Sequence, residues 1–204
     1  MSRLQFSKTI VEDGEKEGMF RRKPERYRLT GLPGQDQAEF IHGQGLRIFQ
    51  ASRQTLELRK ISKWYQPQVW GLFPSMSDVP TGTLKLSRVT IHKKDPETRK
   101  KPNGNVELNG QSYVFYRLQP AVRTKLFRKD TWGHYRFVLR HESSAEFIEY
   151  NFRIDPYTGF KWRGSHRLFD GDIETNSSNP MLILAGFQLI ELVFAAEAAQ
   201  AATM

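Results

Sequence analysis

The sequence predicts an all-β protein: an antiparallel β-barrel of about 9 to 12 strands that encloses a hydrophobic C-terminal α-helix. Between residues 27 and 162, apolar and polar residues alternate over short stretches that Gly, Pro and Asn separate, as half-buried strands and their turns do. Residues 181–196 read MLILAGFQLIELVFAA, with Gln188 and Glu191 as the polar side chains. A helix this apolar on every side must be surrounded, and strands around it form a barrel.

A chain of 204 residues is long enough for one well-packed domain, which we expect to span residues 27–204. Residues 1–26 are polar and charged, show no clear period and end near the basic cluster Arg21, Arg22 and Lys23. They predict a flexible basic N-terminal arm.

Alternation and turn residues place the strands in chain order. Strands are expected at residues 27–29, 46–48, 56–61, 83–86, 89–91, 105–108, 111–118, 124–127, 134–140, 147–154 and 159–162. Three prolines interrupt residues 63–83, so a loop with an edge strand is expected there. Residues 92–105 contain Pro and Asn-Gly and predict an exposed excursion. Asn109-Gly110 predicts a two-residue type I′ hairpin turn.

The helix is expected at residues 180–198, with Asn179 as its N-cap and Pro180 at its first position. Gly186 would allow a strand to approach closely. Gln188 and Glu191 lie three residues apart on one face and need polar partners if the helix is buried. The apolar run is shorter than the roughly 20 residues of a membrane span and contains Glu191, which favours a barrel plug. A membrane tail is the alternative.

The composition points to polyanionic partners. Lys and Arg number 31 against 22 Asp and Glu, giving a formal net charge of +9, and the pI is about 9.8. There is no cysteine, so disulfides and thiolate metal sites are excluded. The first residues lack the apolar core of a signal peptide, so we expect an intracellular protein, cytoplasmic or peripheral to a membrane.

Three segments together resemble the tubby-like superfamily, which includes the tubby C-terminal domain and the LURP-one-related proteins. They are the basic paired strands at residues 113–118 and 124–129, the hairpin YNFRIDPYTGFKWRGS at residues 150–165, and the apolar terminal helix. The resemblance implies a closed antiparallel barrel around the helix and basic residues that hold phosphoinositide headgroups. Family members usually place another hairpin before the helix, where this chain has only residues 166–179.

Two basic clusters are the candidate anion-binding residues. They comprise Arg123, Lys125, Arg128 and Lys129 in the first cluster and Lys161, Arg163 and Arg167 in the second. Trp162 places an aromatic ring within the second cluster, an arrangement that suits nucleic-acid bases as well as a lipid interface. A solvated strand face is the alternative interpretation of both clusters. A third basic patch within residues 93–101 would add attraction without defined geometry.

No catalytic set, cofactor motif or metal site is visible. The five histidines lack metal-binding spacing, and Asp170 and Asp172 match only part of a calcium loop. We therefore expect a non-enzymatic module that binds anionic lipid headgroups, without a cofactor. The alternatives are a nucleic-acid-binding barrel and a barrel-pocket enzyme or small-molecule carrier, which would need an open interior.

Overall fold

The architecture comes from a computed structural model, which describes residues 2–12, 16–17, 21–22, 26–30, 37–41, 45–50, 53–62, 69–74, 76–87, 102–118, 133–154 and 169–201. The strands are β1 (Ser2–Glu12), β2 (Lys16–Glu17), β3 (Arg21–Arg22), β4 (Arg26–Thr30), β5 (Gln37–Ile41), β6 (Gly45–Gln50), β7 (Arg53–Lys60), β8 (Val69–Pro74), β9 (Gly82–Leu86), β10 (Gly104–Leu108), β11 (Gln111–Leu118), β12 (Gly133–His141), β13 (Phe147–Ile154) and β14 (Phe169–Thr175). The helix is α1 (Pro180–Ala201).

Twelve of these strands form a closed antiparallel barrel. From β4 to β14 each strand pairs with the next along the chain, and β1 closes the ring between β14 and β4. β2 and β3 form a separate two-stranded sheet. The predicted fold class, a barrel of about 9 to 12 strands around a C-terminal helix, is confirmed.

The helix fills the lumen. Residues 182–190 are all buried, and because they span more than two helical turns, every face of the helix is covered. The Asn179 side-chain oxygen accepts a hydrogen bond of 3.0 Å from the Met181 N–H, which confirms the predicted N-cap. The helix ends three residues later than expected. No helix in the part of the chain that the structure describes has the length and apolarity to cross a membrane.

Aromatic rings from the strands hold the helix in place. Phe187 makes edge-to-face contacts with Phe6 and Tyr150, at centroid distances of 4.8 and 5.1 Å. Further along the helix, Phe194 lies against Tyr135 and Phe137 in the same manner. Burying each such ring stabilises the fold by about 1.5–3 kcal/mol.

The predicted N-terminal arm is wrong, because residues 2–12 form β1. Leu4 and Phe6 face the lumen, and Phe6 is only 4% exposed. Their alternation with polar residues is a strand pattern, but it is short and lies in a stretch rich in charge. Pairing with β14, far away in sequence, is what fixes this strand.

The predicted edge strand near residue 70 is also wrong in its position. β8 pairs with β7 on one side and β9 on the other, so it lies within the barrel wall. Trp70 and Leu72 are buried. Pro74 is the last residue of the strand and Pro80 lies in the following turn, so these prolines flank the ladder without interrupting it.

The strongest local signals are confirmed. Asn109 and Gly110 both have positive φ, 50° and 77°, as a type I′ turn requires, and they join β10 to β11. β13 has the predicted bounds, and β12 begins and ends within one residue of them. The strands predicted at residues 89–91, 124–127 and 159–162 lie outside the described residues. β14, which was not predicted, occupies half of the stretch before the helix, residues 166–179.

Candidate functional site

One end of the barrel holds the attachment points of the basic segments. β9, β11 and β13 run toward this end, and β10, β12 and β14 start from it. The register shows the ends side by side: Leu86 pairs with Gly104, and Ile154 pairs with both Gly133 and Phe169. We call this end, marked by the last residues of β9, β11 and β13 and the first of β10, β12 and β14, the basic rim.

Three connections of high positive charge join the strands at the basic rim. They are residues 88–101, 119–132 and 155–168, which together contain thirteen Lys and Arg against four Asp and Glu. That excess equals the formal net charge of the whole chain, +9. The six neighbouring strands β9 to β14 are therefore joined, at one end of the barrel, by connections whose summed charge equals the net charge of the protein.

The predicted anion-binding residues belong to two of these connections. Arg123, Lys125, Arg128 and Lys129 lie between β11 and β12, and Lys161, Arg163 and Arg167 lie between β13 and β14; all seven lie outside the described residues. The two connections join β11 to β12 and β13 to β14, and these four strands are adjacent in the barrel. Both connections are therefore attached to the same side of the basic rim.

The described turns at the opposite rim carry charge of the opposite sign. Its described turns, residues 76–81, 109–110, 142–146 and 176–179, contain Asp78, Glu142 and Glu146 and no Lys or Arg. The three connections at the basic rim and the described turns at the other end thus differ in the sign of their charge. A sequence read segment by segment does not show this difference, because it depends on which turns share an end.

Arg117 lies inside the barrel near the basic rim. It belongs to the basic strand of the resemblance, yet it is 4% exposed and its guanidinium lies 5.9 Å from the ring centre of Tyr135. Its backbone N–H donates to the Asn103 side-chain oxygen at 2.8 Å. This arginine is part of the interior and not of the outer basic surface.

A cleft of about 680 Å³ lies on the outer face of β1, β4, β12, β13 and β14. Tyr150 and Phe152 of β13 face the lumen, so Asn151 and Arg153 between and beyond them face outward. The polar residues that line the cleft include Gln5, Ser7, Asn151, Arg153, Asp170 and Asp172.

An ion pair forms one wall of the cleft. Arg136 binds Glu149 through two hydrogen bonds, of 2.7 and 2.9 Å, and Asn151 donates a third to the same carboxylate at 3.1 Å. Burial alone would raise the pKa of Glu149, but these hydrogen bonds and the charges of Arg136 and Arg140 outweigh it and lower the pKa below its usual value. Glu149 is therefore ionised and held in place.

A second ion pair joins β1 to β14, where the Arg3 guanidinium lies 3.1 Å from Asp172.

Two other charges remain at the cleft. Arg153 and Asp170 are register partners on β13 and β14, and both are exposed. In the part of the chain that the structure describes, neither has a hydrogen-bond or ion-pair partner. In the sequence, Asp170 and Asp172 match only part of a calcium loop, and no local pattern marks Arg153, which strand register places opposite Asp170.

Comparison with known proteins gives no relative. No family model, no curated protein and no solved structure matches the chain. Within the described ranges, no group of three or more His, Asp or Glu side chains is placed to hold a metal ion.

Proposed function

We propose that this protein is a non-enzymatic binding module whose basic rim engages anionic lipid headgroups. The observation that carries the proposal is the attachment of three connections with a combined charge equal to the chain's +9 at one end of a closed barrel. The described turns at the other end contain only acidic charged residues. A body with this charge separation orients end-on toward an anionic surface.

The filled lumen supports a surface-binding role. Helix α1 occupies the interior, where a carrier or a barrel-pocket enzyme would need space for its ligand. The outer wall and the rims are then the surfaces left for recognition.

We also propose that the chain is a divergent member of the tubby-like superfamily. Its closed antiparallel barrel around a hydrophobic C-terminal helix agrees with the architecture that the resemblance implies, which supports this assignment. The resemblance in turn supports phosphoinositide-type headgroups as ligands of Arg123, Lys125, Lys161 and Arg163, whose segments are tethered side by side.

Co-sedimentation with vesicles tests the proposal. The wild-type protein should bind vesicles of phosphatidylcholine with phosphatidylglycerol or a phosphoinositide and not vesicles of phosphatidylcholine alone. Each basic residue near an anionic membrane contributes about 1 kcal/mol, so K125E should weaken binding about fivefold or more. The combined change of Arg123, Lys125, Lys161 and Arg163 to Glu should abolish it.

A matched control variant distinguishes the effect of where a charge lies from the effect of the net charge of the protein. Arg53 is the first residue of β7, at the opposite rim, and R53E alters the net charge as much as K125E does. It should leave vesicle binding nearly unchanged. Equal losses from R53E and K125E would contradict an oriented basic rim, and wild-type protein that binds single-stranded nucleic acid but no anionic vesicle would overturn the lipid proposal.

A further inference from the structure

We propose that the outer cleft is a headgroup site for a phosphate ester that carries a primary ammonium group, the chemistry that phosphoserine shares with phosphoethanolamine. This inference rests on the proposed function, because it identifies which anionic headgroup is selected next to the basic rim. The site lies on strands of the barrel wall and involves none of the residues in the three basic connections.

The charges at the cleft divide into satisfied and available groups. Arg136 is bound to Glu149, and Arg3 is bound to Asp172. Arg153 and Asp170 have no such partner among the residues that the structure describes. The cleft therefore offers one cation and one carboxylate to a ligand.

The spacing of these two groups suits a zwitterion. Residues directly opposite on antiparallel strands have Cβ atoms about 5 Å apart, and Arg153 and Asp170 are such a pair. In a phosphoserine headgroup two carbons separate the ester oxygen from the ammonium nitrogen, a distance of the same order. The Arg153 guanidinium suits phosphate oxygens and the Asp170 carboxylate accepts from an ammonium group.

The Asp170 carboxylate gives the cleft its selectivity, because Glu149 and Asp172 are already paired with Arg136 and Arg3. A headgroup that carries only negative charge, such as phosphatidylglycerol, places its phosphate near the Asp170 carboxylate. It has no cationic group that could pair with that carboxylate. A headgroup with an ammonium group places opposite charge there. Asp170 should thus favour phosphatidylserine over phosphatidylglycerol at equal surface charge.

The cleft is placed where a membrane-bound protein could use it. Arg153 immediately precedes Ile154, and Asp170 immediately follows Phe169, and both of these neighbours mark the basic rim. A barrel held on a vesicle by the basic rim brings the cleft to the level of the headgroups.

The experiment compares vesicles that contain phosphatidylserine with vesicles that contain phosphatidylglycerol at the same mole fraction. Wild-type protein should bind the phosphatidylserine vesicles about fivefold more tightly. D170N should remove that preference by weakening phosphatidylserine binding alone, whereas R153Q should weaken binding to both. E174Q, which makes the same charge change on the outer face of β14 away from the lining of the cleft, should behave as wild type.

The outcomes separate this inference from the proposed function. Binding to both vesicles with equal affinity, or an equal effect of D170N on both, overturns the cleft and leaves the basic rim intact. Binding to neither overturns the proposed function. In that case O-phospho-L-serine in solution tests the cleft by itself: saturable NMR shifts at Arg153 and Asp170 that D170N removes would support it, and no shifts would overturn it.

Discussion

The phenol ring of Tyr150 occupies the space that a side chain at position 186 would need. Its hydroxyl donates a 2.8 Å hydrogen bond to the Ile183 carbonyl, and a Cβ added to Gly186 would overlap the same hydroxyl. Burial raises the pKa of Tyr150 well above its usual value, so the hydroxyl stays protonated. This contact fixes the depth of the helix within the barrel.

We expect G186A to destabilise the protein although alanine favours helices. The propensity gain is about 1 kcal/mol, but overpacking a rigid contact costs about 1–3 kcal/mol and leaves the Tyr150 hydrogen bond misplaced. Y150F alone should cost about 1 kcal/mol. Urea denaturation of both variants and of the double variant should show a double-variant loss smaller than the sum. A more stable G186A protein would contradict the close contact.

We expect Q188M to stabilise the fold. Gln188 is 4% exposed, and its side-chain oxygen has no hydrogen-bond partner in the described part of the chain, contrary to the predicted polar partner. A thioether of similar volume removes the unsatisfied acceptor, so the free energy of unfolding should rise by about 1 kcal/mol. L189M, at a buried apolar neighbour, should instead cost up to about 1.5 kcal/mol. A loss of stability in Q188M would mean that the oxygen is satisfied.

The Arg136–Glu149 pair should make stability depend on acid pH. Because the folded state lowers the pKa of Glu149, the pair stabilises the protein above the unfolded pKa of about 4.5, and that contribution disappears as the pH falls through the lower folded pKa. E149Q should flatten the stability profile below about pH 4.5 and have its largest cost near neutral pH. Chemical denaturation across that range measures the difference. Identical slopes for E149Q and wild type below that pH would argue against the pair.

Tyr113 should make the folding stability fall as the pH rises at alkaline pH. Burial, a hydrogen bond to Glu146 and the charge of that carboxylate raise the pKa of Tyr113 from 10.0 to about 12. The neutral phenol therefore contributes stability that is fully present below pH 10 and is lost as the pH rises toward 12. Spectroscopic titration of wild type and Y113F should isolate one late-ionising tyrosine, whose absence would refute the assignment.

Local sequence predicts the elements whose fold is decided locally. The Asn109-Gly110 turn needs positive φ at two consecutive residues, and the cap at Asn179 needs one side-chain oxygen, so both are visible in a few residues. β1 and β14 are different, because each is rich in polar residues and the two pair with each other across most of the chain. In β14 the lumen-facing position between Asp170 and Asp172 is a glycine, which hides the alternation.

The same reason limits prediction of the candidate site. Arg153 and Asp170 come together through the register of β13 and β14, and the cleft adds Gln5 from β1 at the other end of the sequence. The basic clusters were visible from sequence, but their common attachment at one rim follows only from the direction of the strands. Charge can be read from composition, whereas its placement depends on topology.

Closure of the ring between β1 and β14 sets the order in which the protein can be assembled. Arg3 and Asp172 are 169 positions apart in the sequence and are hydrogen-bonded in the closed ring. The helix that fills the lumen follows β14 in the chain. A ribosome therefore releases every strand of the wall before the helix emerges, and until then the wall exposes an apolar inner surface. We expect ring closure to be the slow step of folding, because β1 and β14 must meet across most of the chain, whereas the strands from β4 to β14 pair with their neighbours in sequence. The demand for chaperones should end when the helix enters the lumen.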